Sequence, residues 1–290
     1  MILAENELVI LCDVAIKAAK KAGDLITSYT NKNVVVENKS SGTSLASQVV
    51  TKVDFLCQED ILNTLKISSV TYDLGLLTEE SPDDGSRFEK DYFWCIDPID
   101  GTLAFIKGRE GYSVSIALVS REGVAVIGVV YNPVSGIMYH AIRGQGAFIN
   151  NKKWVLAKLT NQLTFVGDDS FSNHSRYNEL LTKLNTLRKR VGYDNFQVIQ
   201  QGGAVMNAIW VLENSPAFYF KLPKGTQGGG SLWDYAATAC LFNELQMMNG
   251  DVQGRVLNLN PVESIYFNHC GVLFSTDDTL TDTIIEFCKQ

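Results

Sequence analysis

Two stretches near the start of the chain place apolar residues every three or four positions. They span residues 7–30 and 51–65, with mostly polar residues in the intervening positions. Apolar side chains at this spacing share one face of a helix, so both stretches are predicted to be amphipathic helices. Residues 33–48, which lie between them, are polar and rich in serine, a composition typical of a loop or an irregular hairpin.

Short apolar runs of strand length follow the second helix. Strands are predicted at 75–77, 92–96, 113–119 and 125–131, and a glycine-rich turn at 144–148 leads into another. Beyond about residue 158 the pattern alternates, with helices predicted at 178–190, 206–213, 232–243 and 278–289 and strands at 217–221 and 271–275. This order predicts an α/β fold in layers, with an α+β half at 1–157 and an α/β half at 158–290.

Composition narrows the class of protein. Of the 290 residues, 46% are hydrophobic and 20% are charged, which is enough apolar material for a packed core and excludes a disordered chain. Every apolar run is far shorter than the ~20 residues that span a bilayer. The beginning of the chain lacks the basic residues of a secretory signal, and the six cysteines are scattered, so we expect a cytoplasmic protein with reduced thiols. A net charge of −7 argues against binding a nucleic acid polymer.

The most informative segment ends an apolar run with two aspartates three positions apart. Pro98 stands between Asp97 and Asp100 and holds Asp97 extended, so a sharp turn is predicted where the strand ends. Such a turn can aim both carboxylates into one cavity. Gly101 lets a ligand approach the backbone, and Thr102 is placed to cap a helix whose free N–H groups attract anions. The pattern predicts Mg²⁺ that bridges carboxylates to a phosphate.

An isolated Asp-x-x-Asp is also typical of an ordinary turn followed by a helix cap. Two further acidic features favour the metal site. Glu79 and Glu80 follow the first predicted strand, and Asp234 stands near the start of a predicted helix, where capping is the simpler explanation. Together with the two aspartates of the turn, they supply the carboxylates that a two-metal site needs.

This set resembles the inositol monophosphatase superfamily of Mg²⁺-dependent, lithium-sensitive phosphomonoesterases. The family signature Asp-Pro-Ile/Leu-Asp-Gly-Thr is intact at 97–102, with Glu-Glu upstream at 79–80 and Trp-Asp-x-Ala downstream at 233–236. Two secondary matches are Thr-x-x-Asp at 51–54 and Gly-x-Gly-Ala at 144–147. The resemblance extends from about residue 15 to residue 273. It implies the family's αβαβα sandwich, with the metal site between the two halves.

The resemblance also implies a set of metal ligands. Glu80, Asp97 and the backbone carbonyl of Ile99 would hold a first Mg²⁺ ion. Asp97, Asp100 and Asp234 would hold a second, so that Asp97 bridges the pair. A third, weaker ion near Glu80 is also compatible with the family, which leaves the number of ions at two or three.

The chemistry that the resemblance implies is direct hydrolysis without a covalent phosphoenzyme. The phosphate would rest on the backbone N–H groups of Gly101 and Thr102. A water activated by the metal would attack phosphorus in line, with Glu80 and Thr102 orienting and deprotonating it. Asp54 would position that water or Thr102.

The sequence departs from the family in two places. Lys39 resembles the lysine of the family's mobile active-site loop, but the loop from it to Thr51 is longer than usual, and an ordinary solvated cation is the alternative. After Asp234, relatives carry Glu-Ala-Gly-Gly, whereas this chain continues with Glu244-Leu245-Gln246 in that region. The second change concerns packing more than chemistry.

The sequence indicates the substrate less clearly than it indicates the reaction. Lys107 lies in a Phe-Ile-Lys segment that resembles bacterial 3′(2′),5′-bisphosphate nucleotidases, and Lys221 and Lys224 precede Asp234 where a second phosphate would need cations. Against this, Gly203 and Ala204 lie in a segment that resembles the sugar-contacting region of inositol enzymes. We therefore expect a bisphosphate nucleotide such as adenosine 3′,5′-bisphosphate, with inositol monophosphate or a sugar bisphosphate as alternatives and the three lysines as surface charges in that case.

Three further expectations rest on a single observation or on the resemblance alone. His269 precedes an apolar strand and is a candidate contact for a base or sugar. A homodimer is expected from the habit of the family. A catalytically silent binding protein on the same fold is the alternative from another class, because some relatives act through partners that include RNA-associated machinery. The intact acidic set favours an enzyme acting on a small phosphorylated metabolite.

Overall fold

The computed structural model describes residues 2–30, 36–38, 49–157, 161–173, 175, 177–228 and 230–289. The predicted loop at 33–48, with Lys39, therefore lies largely outside the described residues. Two helices begin the described chain, α1 at Glu5–Tyr29 and α2 at Lys52–Thr71, and between them the short strands β1 (Val36–Asn38) and β2 (Val49–Thr51) pair antiparallel. Both helices lie close to their predicted positions.

A seven-stranded sheet forms the next layer. Its strands follow chain order, and β3 pairs parallel with β4 while the other neighbours are antiparallel. Its strands are β3 (Gly75–Thr78), β4 (Tyr92–Asp100), β5 (Ser113–Ser120), β6 (Ala125–Asn132), β7 (Ile137–Ile142), β8 (Gly146–Ile149) and β9 (Lys152–Lys153). Short helices flank β4, namely α3 at Ser86–Glu89 and α4 at Thr102–Ile106.

A five-stranded mixed sheet forms the second β layer, in the order β11-β10-β12-β14-β13. Its strands are β10 (Gln162–Val166), β11 (Asn195–Ile199), β12 (Ala217–Lys221), β13 (Met248–Gly250) and β14 (Val272–Ser275). The helices of this half are α5 (Tyr177–Arg190), α6 (Ala204–Glu213), α7 (Leu232–Glu244) and α8 (Asp278–Cys288), and a 3₁₀ turn spans Asp169–Asn173.

The predicted αβαβα sandwich is confirmed. Helices α1 and α2 cover one face of the seven-stranded sheet, and α7, with α6 beside it, lies between the two sheets. Helices α5 and α8 cover the outer face of the second sheet. Gly128 on β6 allows α7 to approach closely, since a Cβ there would meet the carbonyl oxygen of Ala237 at 2.2 Å.

The sequence patterns missed several strands. β7, β10, β11 and β13 were not predicted, and β4 continues beyond its predicted end at residue 96 through the two aspartates. One apolar cluster includes buried residues from before and after residue 158, so the division into halves stays a prediction. Within the described chain, no helix combines the length and the apolar character needed to cross a membrane.

Candidate metal and phosphate site

A β-bulge near the end of β4 places Asp97 and Asp100 on the same side of the sheet. Asp97 pairs with Ser115 and Asp100 with Ser113, so β4 advances three residues where β5 advances two. Without the extra residue, two positions three apart would face opposite sides of the sheet. The predicted turn is therefore a bulge within the strand, and it brings the two carboxylates together.

The first turn of α7 adds Asp234 to this pair. Carboxylate oxygens of Asp97, Asp100 and Asp234, one from each residue, lie within 4.8 Å of one another, and we call these three residues the acidic triad. Asp234 accepts a hydrogen bond from the backbone N–H of Ser231 at 2.9 Å, so it caps the helix as well. Asp97 is 1% exposed and Asp100 is 6% exposed.

The triad carries more negative charge than its surroundings balance. Burial, followed by the charges of Glu79 and the other triad members, raises the pKa of Asp97 well above its ordinary value. Burial and the charge of Asp234 do the same to the pKa of Asp100, although the charge of Lys221 opposes that shift. Burial is also the main cause that raises the pKa of Asp234 to about 6. Buried carboxylates that repel one another are stabilised by a cation, and their oxygens are the donors that Mg²⁺ prefers, so the residues fit this metal.

Glu79 lies against Asp97. In the parallel pairing of β3 with β4, Thr78 is opposite Ile96, so the next residues along the two strands, Glu79 and Asp97, are neighbours. The N–H of Glu79 donates to the carbonyl of Ile96 at 3.1 Å, and the charge of Glu79 is the largest contribution after burial that raises the pKa of Asp97. The sequence-based prediction is Glu80, whereas this register, which no sequence pattern reveals, places Glu79 beside Asp97.

Thr102 and Asp54 are brought together as predicted. The Thr102 hydroxyl lies 3.2 Å from a carboxylate oxygen of Asp54 and 3.1 Å from the carbonyl oxygen of Ile99. The other oxygen of Asp54 accepts from the N–H and the hydroxyl of Thr51 at 2.8 and 2.5 Å. Burial raises the pKa of Asp54 to about 6, although the hydrogen bonds from Thr51 act in the opposite direction.

Gly101 connects the bulge to α4 in a conformation that requires glycine. Its φ is +85°, and a Cβ would meet the carbonyl oxygen of Gly111 at 2.6 Å. The structure also explains Gly203 and Ala204, which were predicted as substrate contacts. The N–H of Ala204 donates to Asp100 at 3.0 Å, and a Cβ on Gly203 would lie 2.3 Å from an Asp100 oxygen. Ala204 therefore holds Asp100 in place, and Gly203 leaves the room that the Asp100 carboxylate occupies.

A second polar cluster lies around Asp168 at the end of β10, and we call it the Asp168 cluster. One carboxylate oxygen of Asp168 accepts from Asn207 Nδ2 and from the Tyr219 hydroxyl, both at 3.0 Å. The other oxygen lies 3.1 Å from Lys221 Nζ. Lys221 also influences the pKa of Asp234, so this cluster borders the acidic triad. The sequence analysis missed Asp168 and Tyr219, which have no motif around them.

The other predicted substrate residues are Lys107, Lys224 and His269, and Lys224 pairs through its backbone with Asn268, the neighbour of His269. Lys107 forms an ion pair with Asp169 at 3.2 Å, which links α4 to the second half of the chain. Lys224 is exposed, and burial together with the nearby charge of Lys221 lowers its pKa. His269 is exposed in the turn before β14.

Comparisons with known proteins agree with this geometry. The model of the inositol monophosphatase family matches residues 8–288, which confirms the resemblance found in the sequence. A protein named Nus factor SuhB from Pasteurella multocida is 27% identical over 245 residues, which cover 84% of this chain and 86% of that protein. Inositol monophosphatase 3 from Solanum lycopersicum is 35% identical over 191 residues, which cover 61% of this chain and 67% of that protein.

A solved structure agrees in fold over almost the whole chain. The structure of an IMPase from Thermotoga maritima superimposes with a TM-score of 0.74 and covers 96% of each chain, at 24% sequence identity. At that identity the likeness concerns the fold alone.

Proposed function

The chain belongs to the inositol monophosphatase family and is a metal-dependent phosphatase, and from that premise we propose that its substrate is a small phosphomonoester with a second phosphate. Our preferred substrate class is the 3′(2′),5′-bisphosphate nucleotides, which would be converted to the 5′-monophosphates. The acidic triad carries the assignment of the reaction. Lys221 beside that triad supports the choice of substrate.

We propose Mg²⁺ as the metal, with two ions per chain and the Glu79–Glu80 turn as the place for a third. Glu79, Asp97 and the carbonyl of Ile99 would hold one ion, and Asp97, Asp100 and Asp234 the other. Glu79 takes the place that the sequence-based prediction assigned to Glu80, because the register of β3 and β4 places Glu79 beside Asp97, and its charge raises the pKa of Asp97. When bound, the ions would acidify a coordinated water and neutralise charge on the phosphate and the leaving oxygen.

The chain's own residues would then handle the proton. The single hydroxyl proton of Thr102 can be donated to Asp54 or to the Ile99 carbonyl, which leaves its oxygen free to accept from the attacking water. With a pKa of about 6, Asp54 is mostly ionised at neutral pH and can receive a proton through Thr102. The N–H groups of Gly101 and Thr102, at the start of α4, would hold the phosphate.

The second phosphate would lie on the Lys221 side of the triad. Lys221 Nζ binds Asp168, and the Lys221 side chain is 18% exposed. Lys224 would add a second cation at the rim, and Lys107 would do so only after leaving Asp169. Inositol monophosphates, the substrates in the name of the tomato relative, lack a second phosphate and would not use this charge.

The experiment is a phosphate-release assay with Mg²⁺, repeated with EDTA and with Asp97→Asn as the blank. The substrates are adenosine 3′,5′-bisphosphate, inositol 1-phosphate, fructose 1,6-bisphosphate and AMP. We expect kcat/KM for the nucleotide bisphosphate to be at least about tenfold higher than for inositol 1-phosphate, which corresponds to ~1.4 kcal/mol. A preference for inositol 1-phosphate would contradict the substrate assignment and leave the reaction intact. No release from any substrate would favour the binding-protein alternative, in line with the name of the Pasteurella relative.

A further inference from the structure

The side chain of Gln58 connects α2 to the turn that carries Glu79. Gln58 is 7% exposed and makes three hydrogen bonds to that turn. Its Oε1 accepts from the Thr78 hydroxyl at 2.6 Å and from the N–H of Glu80 at 3.1 Å, and its Nε2 donates to the Ser81 hydroxyl at 2.8 Å. One side chain thus holds the residues on both sides of Glu79.

These contacts define the orientation of the amide. The N–H of Glu80 can only donate, so the atom that faces it must be the oxygen of Gln58. Both acceptor positions of that oxygen are then occupied, by Glu80 and Thr78. The turn is held through its backbone and its flanking side chains, which leaves the carboxylate of Glu79 directed to Asp97.

Gln58 also lies one helical turn after Asp54, and residues four apart share a helix face. The same face of α2 therefore contacts Thr102 through Asp54 and the Glu79 turn through Gln58. The relative position of the proton acceptor and of Glu79 is determined by one rigid element.

We propose that Gln58 is a positioning residue that holds Glu79 in reach of the metal beside Asp97. The inference rests on the proposed function, since it assumes that Glu79 and Asp97 bind the metal. Partners that orient a metal ligand typically contribute 10-fold to 100-fold in metal affinity. A side chain that only stabilised the fold would contribute to thermal stability and leave metal affinity unchanged.

The test compares Gln58→Leu with Gln58→Glu and with Ser68→Ala. Leucine removes all three hydrogen bonds, whereas a carboxylate can accept from Thr78 and Glu80 and also from the Ser81 hydroxyl acting as donor. Ser68 is the matched control, because it is also 7% exposed on α2 but its hydroxyl bonds to Leu65 within the helix. Mn²⁺ binding is measured by electron paramagnetic resonance, alongside the Mg²⁺ concentration for half-maximal activity and the melting temperature.

We expect Gln58→Leu to weaken Mn²⁺ binding and raise the half-maximal Mg²⁺ concentration at least about tenfold. Gln58→Glu is expected to stay within about threefold of the wild type, and Ser68→Ala to bind metal like the wild type at a lower melting temperature. If Gln58→Leu lowers the melting temperature but binds Mn²⁺ like the wild type, the positioning role is overturned.

Two additions keep the test decisive. Thr78→Val removes one of the three hydrogen bonds, and we expect a shift of about twofold to fourfold in the same direction; it replaces Gln58→Leu if that variant does not fold. Asp97→Asn serves as the metal-binding blank. If the wild type binds Mn²⁺ no better than this blank, the proposed metal site itself fails, whereas wild-type binding with an unaffected Gln58→Leu overturns the role of Gln58 alone.

Discussion

The acidic triad and the Asp168 cluster are neighbouring sites whose negative charges are balanced in different ways. Asp168 has a donor on every side, with Asn207 and Tyr219 on one oxygen and Lys221 on the other. Burial disfavours the charged form of Lys221, yet its acidic neighbours, Asp168 foremost, raise its pKa above the ordinary value. The negative charge of Asp168 is therefore balanced by residues of the chain itself.

The triad, by contrast, gathers like charges. Its members raise one another's pKa values in addition to the effect of burial. Backbone hydrogen bonds reduce this repulsion without supplying a positive charge. They run from Ala204 and Val205 to Asp100 and from Ser231 to Asp234. The difference indicates that the Asp168 cluster shapes the site, whereas the acidic triad needs a cation to function.

The largest expected effect separates the two clusters directly. Asp97→Asn should lower kcat/KM at least about a thousandfold, or ~4 kcal/mol, because the shared ligand of both proposed ions is lost. The metal-free variant should melt no lower than the metal-free wild type, since repulsion within the triad is relieved. Asp168→Asn should do the opposite, with a lower melting temperature and a loss of about tenfold or less in activity on inositol 1-phosphate. Steady-state kinetics and thermal melts in EDTA measure both, and equal losses of activity would contradict the contrast.

The next effect distinguishes the two glutamates of the Glu79–Glu80 turn. Glu79→Gln should lower kcat/KM about a hundredfold and weaken Mg²⁺ activation, because Glu79 lies beside Asp97, where one of the two ions is proposed to bind. Glu80→Gln is the matched control and should lose about fivefold or less. A larger loss for Glu80→Gln, measured over a Mg²⁺ titration, would restore the assignment made from the sequence.

A smaller effect concerns the substrate side. Lys221→Met should lower kcat/KM for adenosine 3′,5′-bisphosphate about tenfold to a hundredfold, since it removes a cation from the proposed second-phosphate site. Hydrolysis of inositol 1-phosphate, which lacks a second phosphate, should change by about threefold or less. Lys224→Gln, at the exposed rim, should have a weaker effect of the same kind. Equal losses on both substrates would mean that Lys221 serves the triad or the fold rather than the second phosphate.

The sequence allowed the fold and the centre of the site to be predicted for different reasons. Apolar periodicity located the long helices, and short apolar runs located about half of the strands, because each of these elements buries at least one face. The Asp-Pro-Ile-Asp-Gly-Thr signature identified Asp97 and Asp100. Their shared face results from a bulge that shifts β4 against β5, and this register is a property of the paired strands.

The differences between the sequence-based predictions and the structure have the same origin. Glu79 and Glu80 are adjacent and chemically alike, and only the alignment of β3 with β4 selects between them. Asp168 has no motif around it, because its partners Asn207, Tyr219 and Lys221 come from distant parts of the chain. Lys107 lies in the segment that resembles nucleotidases. Its ion pair with Asp169 could not be predicted from that segment, because it depends on how the two halves of the chain pack.

The smallest expected effect lies far from both clusters. His140 is 8% exposed, stacks on Phe148 at 5.1 Å and has a buried Nδ1 with no hydrogen-bond partner in the described part of the chain. Burial lowers the pKa of His140, against the opposing charge of Asp13. The unfolded chain then binds the proton more readily, so this contribution to stability is complete above about pH 6.5 and is lost as the pH falls through the folded pKa.

Thermal melts between about pH 7.5 and 5.5 test whether His140 lowers the stability of the protein as the pH falls. His140→Phe keeps a ring against Phe148 and should lose about 1 to 3 °C less than the wild type as the pH falls. Parallel declines of the two proteins would show that His140 does not contribute.

The most direct test of the metal site is a crystal grown with Mn²⁺ and measured at the manganese absorption edge. We expect two anomalous peaks, one between Glu79 and Asp97 and one among Asp97, Asp100 and Asp234, each about 2.0 to 2.3 Å from the carboxylate oxygens. The Asp168 cluster should show no peak, because its charge is already balanced. Peaks at the Asp168 cluster, or none at the triad in an enzyme that Mn²⁺ activates, would contradict the account.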